Sequence, residues 1–200
     1  VLANCTATTP DLPLGAAASC GPYNRAAFNH WIDEDHDGIP TNHEILIAES
    51  EIPVSTNRNG TRVLSGRWVC PYTGEVFTKL SEQYKGTDGK THTRVLVDCD
   101  HVVSLGEAWR WGACRWSPEK RQEYANYTAD SFHLVCVKAA ANRAKADRGV
   151  ADGWLPATGK CEYLAARIAV WRNPRWAFSV PKAEVDATLD AVAKYCPPKY

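Results

Sequence analysis

Asp98-Cys99-Asp100-His101 sets two carboxylates and an imidazole within four residues, and His133 and Asn142-Arg143-Ala144-Lys145-Ala146-Asp147 follow within about fifty residues. Side chains of these types can together cut a phosphodiester. A neutral imidazole takes a proton from water near neutral pH. Carboxylate and amide oxygens are hard ligands that suit a phosphate-bridging divalent cation better than a closed structural metal site. Such a cation polarises a phosphoryl oxygen and stabilises the departing 3′ oxygen. On this reading His101 is the general base, Asp100 and Asn142 are the metal ligands, and Arg143 and Lys145 add positive charge at the phosphate.

Three elements must position these groups. Residues 93–97 form a β-type run that ends at the acidic-His cluster, and residues 133–137 are apolar and β-branched enough for a second strand. Residues 138–148 are rich in Ala and other strong helix formers and stop before Gly149. The order is strand, His, long excursion, strand, then a helix carrying Asn142. Elsewhere a short helix is expected over 42–51. Short strands and hairpins are expected over 57–90, with turns at Asn59-Gly60, Thr73-Gly74 and Asp88-Gly89. Ser117-Pro118 starts a helix that runs to about Tyr127, and helices over 161–171 and 182–195 close the chain. In the last of these, Val185, Leu189, Val192 and Cys196 fall on one face.

The segment 95–147 resembles the HNH, or ββα-metal, endonucleases, and in particular their secreted bacterial and fungal non-specific DNases. Asp98-x-Asp100-His101-Val102-Val103, a strand residue at His133 and Asn142-Arg143-x-Lys145 carry the resemblance. A looser likeness extends through Gly21-Pro22-Tyr23-Asn24-Arg25, Phe28-Asn29-His30-Trp31 and Trp154-Leu155-Pro156. The resemblance implies His101 as base, Asp100 and Asn142 as ligands, and His133 in the middle position that braces the loop aiming the base. It also implies cleavage that leaves 5′-phosphate and 3′-hydroxyl ends. The chain departs from many relatives in having Ser104 for Pro and Ala146 for Gly. Glu107 is open as a further ligand or an orienting group.

The composition suits a soluble globular chain: 200 residues, 44% hydrophobic and 23% charged. Lys plus Arg equal Asp plus Glu at 23 each, so any attraction for a polyanion must be local. Arg110 and Arg115, beside Trp109, Trp111 and Trp116, read either as a DNA-facing surface or, for the tryptophans, as core. Arg167, Arg172 and Arg175 read equally as a basic groove or a solvated face. No apolar run reaches the roughly 18 residues of a membrane helix.

Eight cysteines with no Met fit a secreted chain with four disulfides, and Val1 is the kind of start left when a signal peptide is removed. The expected pairs are Cys99 with Cys136, Cys161 with Cys196, Cys5 with Cys20 and Cys70 with Cys114. No two cysteines lie two to four residues apart, which excludes a zinc-finger spacing. Asn4, Asn59 and Asn126 head glycosylation triplets.

Asp33-Glu34-Asp35-His36-Asp37-Gly38-Ile39-Pro40-Thr41-Asn42-His43-Glu44 follows the calcium-loop pattern, with acids at the first, third and fifth positions, Gly sixth and Glu last. Asp33, Asp35, Asp37, the Ile39 carbonyl and Glu44 would be the ligands. The alternative is a solvated acidic turn ahead of a helix.

The expectation is an α+β protein with a ββα-metal (HNH) core over 93–149, extra helices and short strands, stapled by disulfides. Residues 1–22 form an irregular arm and 23–200 a single nuclease domain. It would be an extracellular monomer that hydrolyses double-stranded DNA with little sequence preference, using Mg, Mn or Zn, with a structural Ca at the acidic loop. Two alternatives are a calcium-stabilised secreted binding protein whose nuclease motif has lapsed, and a nuclease preferring RNA.

Overall fold

The structure, a computed structural model, describes residues 12–196. Within it the fold is α+β, with small antiparallel sheets and two disulfides.

The described part of the N-terminal arm is laid against the core. Leu12 is buried, Leu14 forms a parallel bridge with Val180, and Cys20 is joined to Cys114. A 3-10 turn, Arg25–Phe28, is capped by Asn24 Oδ1, which accepts from Ala26 N at 3.1 Å, and it drops Phe28 into the core. The acidic loop then runs into helix α1 (Thr41–Glu49), which turns Ile45 and Leu46 inward.

Strands β1 (Ser55–Thr56), β2 (Val63–Val69) and β3 (Val76–Lys79) form one antiparallel sheet in that order. β4 (Ser81–Lys85) and β5 (Thr91–Val95) form a largely exposed hairpin. β6 (Val97–His101) pairs antiparallel with β7 (Leu134–Lys138), placing Cys99 opposite Cys136 and His101 opposite Leu134. Between them lie α2 (Leu105–Arg110), a 3-10 turn at Ala113–Arg115 and α3 (Pro118–Ala125), the last capped by Ser117. α4 (Ala139–Lys145) follows β7 directly; α5 (Lys160–Arg172) and α6 (Lys182–Tyr195) are joined by the Cys161–Cys196 disulfide.

Several expectations are corrected. The run 93–97 is divided at Leu96: its N–H donates to Leu80 O and its carbonyl accepts from Ala139 N, so β5 belongs to the exposed hairpin and β6 to the buried pair. α4 stops at Lys145 because Ala146 turns to positive φ. α2 was not anticipated. Its signal is the capping box, in which Ser104 Oγ accepts from Glu107 N and the Glu107 carboxylate accepts from Ser104 N.

Two pairings, Cys5 with Cys20 and Cys70 with Cys114, are replaced by Cys20–Cys114. Cys5 and Asn4 lie outside the described residues. Cys99 and Cys136 face each other as predicted but, like the buried Cys70, form no disulfide among the described residues.

The tryptophans pack on the core, Trp111 buried and Trp109 and Trp116 partly so. Trp111 is buried against Trp171 and Phe178, while Trp116 stacks on Trp176 and Phe178. Trp109 donates from Nε1 to Gly21 O. Arg167 does not join a basic groove. It is fully buried between Glu107 (2.7 Å) and Glu184 (2.6 Å), and Glu184 also accepts from Val150 N and Ala151 N. Both Glu107 oxygens are thereby engaged inside the core, Oε1 by Arg167 and Oε2 by Ser104 and Arg167. Only glycine fits at position 149, where a Cβ would come within 2.6 Å of both carboxylates. Removing one member of such a buried pair costs about 3–5 kcal/mol.

Candidate active site

Successive same-face residues of a strand are two apart, and neighbours on a helix face are three or four apart. α4 lies across β6 in that register. Asn142 Nδ2 donates to Asp98 Oδ2 at 2.9 Å, and Lys145 Nζ, one helical step on, donates to Asp100 Oδ1 at 3.0 Å and to His101 O at 2.7 Å. Tyr72 OH donates to Asp100 Oδ2 at 2.7 Å. Both oxygens of Asp100 are thus engaged inside the protein, and burial raises its carboxyl against the pull of Lys145 and Tyr72. Asp100, expected as a metal ligand, lines the cavity but is buried, with each oxygen already holding a hydrogen bond. The partly buried carboxylate beside Asn142 is Asp98. Because its Nδ2 is committed to Asp98, Asn142 keeps its amide oxygen for a ligand.

His101 ends β6 and is 4% exposed, less open than its expected place past the strand end. Its Nε2 donates to Ala125 O at 2.9 Å, at the last residue of α3. A carbonyl can only accept, so Nε2 carries the proton and Nδ1 holds the lone pair. Trp31 and Tyr124 stack on the ring, with centroids at 5.5 and 6.2 Å. Burial, then the neighbouring His133, hold His101 well below the usual imidazole range; Lys145 and Arg25 add to this and the Ala125 carbonyl opposes it. The ring is therefore neutral at neutral pH, as a base must be. His133 is anchored in the same way, with Nε2 to Tyr124 O at 2.8 Å, and stands perpendicular to His101 at 6.1 Å.

These groups open into a cavity of about 690 Å³ lined by Asp98, Asp100, His101, Asn142 and Arg143 on the β6–α4 side, with Tyr23 and Arg25 from the N-terminal segment. Asp147 is also there, held by Arg110 at 2.7 Å. Of the four cations expected at the phosphate, Arg143 is exposed at the cavity. Lys145 has no exposure and serves the fold. Arg110 is compensated by Asp147. Arg115, at the end of its 3-10 turn, is exposed but does not line the cavity. Asp98, Tyr23 and Arg25 were given no role from the sequence. Asp98 was discoverable, since residues two apart in a strand share a face with the same helix; Tyr23 and Arg25 carried only the looser family likeness.

The acidic loop closes on itself. Oxygens of Asp33, Asp35 and Asp37 lie within 4.8 Å of one another. Gly38 N donates to Asp33 Oδ2 and Ile39 N to Asp37 Oδ1, at 3.0 and 2.7 Å. Gly38 takes φ +89°, which favours glycine. Asp33 Oδ1 is buried without a partner among the described residues, and burial together with Asp35, Asp37, Asp33 and Glu34 raises the Glu44 carboxyl. An orphaned oxygen inside uncompensated negative charge fits a cation. The loop also adjoins the candidate base. Trp31 stacks on His101, and Ile32 N donates to Asn126 Oδ1, one residue beyond the carbonyl that holds His101.

No helix among the described residues is long and apolar enough to cross a membrane. No family model matches the chain, and no solved structure matches it. Over 193 residues the chain is 28% identical to an uncharacterized secreted protein of Arthroderma benhamiae, an alignment that covers 90% of this chain and 85% of that protein.

Proposed function

We propose that this protein is an extracellular, metal-dependent endonuclease of the ββα-metal type that hydrolyses duplex DNA with little sequence preference. One observation carries the reading: a neutral His101, its tautomer set by the Ala125 carbonyl, shares one cavity with the Asp98–Asn142 pair and the exposed Arg143. β6, β7 and α4 would be the two strands and the helix of that core. Asp98 and the Asn142 amide oxygen form a hard-oxygen set that fits Mg, Mn or Zn. A divalent ion held there supplies charge to polarise the phosphoryl group and stabilise the leaving oxygen.

His101 Nδ1 takes the proton from the attacking water, while Nε2–H to Ala125 O keeps the ring from turning and supports the positive charge it acquires. His133, fixed on the adjacent carbonyl, braces that end of α3 and so aims the base. Arg143 sits where it can pair with a phosphate oxygen. Water protonates the departing 3′ oxygen, leaving 5′-phosphate and 3′-hydroxyl ends.

The test is digestion of plasmid and linear duplex DNA by wild type and His101→Ala, with and without EDTA. Cleavage by wild type alone, stopped by EDTA and restored by a divalent ion, is expected. A fully active His101→Ala protein, or no cleavage with any metal, would sink the assignment. Faster cleavage of matched RNA would move the substrate class to RNA.

A second reading concerns the acidic loop, as a structural calcium site with Asp33, Asp35, Asp37, Ile39 O and Glu44 as ligands. The orphaned Asp33 Oδ1 favours it. Calcium is expected to raise the melting temperature of His101→Ala protein and EDTA to lower it; no shift with either would refute the site. The resemblance to a secreted protein and the cysteine content support an extracellular location.

A further inference from the structure

The cations around the cavity are not equivalent. Arg110 is balanced by Asp147 and Lys145 by Asp100, each carboxylate within 3.0 Å of its cation. Arg25 is held differently. Its Nη2 donates to His30 Nε2 at 3.2 Å, and among the described residues no carboxylate reaches it. An arginine can only donate, so His30 accepts with a neutral ring. Burial first, and then Arg25 itself, hold His30 below the usual imidazole range and keep that ring neutral. The guanidinium is thus oriented by a partner that leaves its charge uncancelled.

Its location adds the second part of the argument. Arg25 lines the same cavity as His101, Asp98 and Asn142, but it comes from the 3-10 turn Arg25–Phe28, far from β6 and α4 in sequence. That turn is anchored at its other end by the fully buried Phe28, against Trp109 and Tyr124. An exposed guanidinium at the rim of a cavity, with no carboxylate against it among the described residues, is suited to a phosphate oxygen, which it can grip through two parallel N–H bonds.

We propose that Arg25, oriented by His30, is a substrate-gripping residue that binds a backbone phosphate of the nucleic acid entering the cavity. The inference rests on the nuclease reading and adds to it a second phosphate contact besides Arg143. Binding and cleavage are read separately, so that the two can fail separately.

A labelled duplex oligonucleotide is titrated, by fluorescence anisotropy over a series of salt concentrations, with His101→Ala protein and the same protein carrying Arg25→Ala or Arg25→Lys. Cleavage kinetics are measured for Arg25→Ala and Arg25→Lys in the protein that retains His101. Arg25→Ala is expected to weaken binding about tenfold and to reduce the slope of log affinity against log salt by about 1, the loss of one phosphate contact. Arg25→Lys should restore the slope and part of the affinity, since the charge remains but the fork is lost. A merely structural role would not alter the salt slope. Unchanged affinity and slope in Arg25→Ala, in a protein that cleaves DNA, overturns the Arg25 inference and leaves the nuclease reading intact. Binding that depends on Arg25 without cleavage by the wild type supports the grip and refutes hydrolysis. Neither binding nor cleavage by the wild type overturns both.

Discussion

Lys145 Nζ lies 3.0 Å from Asp100 Oδ1 and 2.7 Å from the His101 carbonyl, with no part of its side chain exposed. One ammonium therefore ties α4 to the last two residues of β6. The motif Asn142-Arg143-Ala144-Lys145 serves two purposes from one helix: Asn142 and Arg143 face the cavity, and Lys145 fixes the strand from which His101 projects.

Because Lys145 is a clamp and not a phosphate contact, Lys145→Met is expected to cost about 3–5 kcal/mol of stability. Urea unfolding measures it. Arg143→Ala should instead leave stability within about 0.5 kcal/mol and weaken DNA binding. An unchanged unfolding midpoint in Lys145→Met would contradict the clamp.

Burial lowers the His133 imidazole from its ordinary range to about 4. Between that value and roughly 6.5 the unfolded chain binds a proton that the native ring does not. Stability from this group is therefore full above about pH 6.5 and is lost as pH falls through 4, in all about 3 kcal/mol. Unfolding free energies measured from pH 7.5 to pH 4 should show the decline, and His133→Asn should flatten it. His101 is depressed in the same direction and adds to the slope.

Asp98 and Asp100 are two residues apart and should behave oppositely. Asp98→Ala is expected to lower cleavage at least a hundredfold and weaken metal dependence while the melting temperature stays near wild type, as for a site residue. Asp100→Asn leaves Lys145 buried opposite a neutral amide, so its main effect should be a fall in stability of about 3 kcal/mol. Melting curves and metal-titrated cleavage rates for the two variants decide it. Equal melting temperatures would refute the division of roles.

The glycosylation triplets are not equivalent once folded. Asn126 is buried; its Oδ1 accepts from Ile32 N, and its Nδ2 donates to Asn29 O and Gln122 O. Asn59 sits exposed in the turn before β2. After expression through a eukaryotic secretory route, mass spectrometry should find glycan on Asn59 and none on Asn126. Glycan on Asn126 in folded protein would contradict this.

Much of the local architecture was legible because it depends on neighbours in sequence. Ser117-Pro118 capped α3 as expected, the turns at Gly60, Gly74 and Gly89 all take positive φ, and α6 spans the expected 182–195. His101, Asn142 and Arg143 were likewise named from residue types and spacing, and His133 took its place from the resemblance to the ββα-metal nucleases; a strand, an excursion, a strand and a helix bring those positions together. α2 was missed although Ser104 and Glu107 form a full capping box and Leu105, Ala108 and Trp109 recur at helical spacing; the helix is only six residues long.

Residue types and spacing thus gave many of the elements, since capping, turn geometry and helix or strand propensity act over a few residues. They also named Asp100, His101, Asn142 and Arg143 among the polar groups gathered at the cavity. Only tertiary packing decided what each charge does. The chain alone does not say whether an arginine meets a carboxylate, a neutral histidine or water. Arg167 and Lys145 became buried clamps because Glu107, Glu184 and Asp100 arrived beside them from distant segments. Arg25 meets the neutral His30 and, among the described residues, no carboxylate. The same held for the cysteines: a disulfide requires two Cα atoms within bonding reach, and Cys20 met Cys114 across 94 residues.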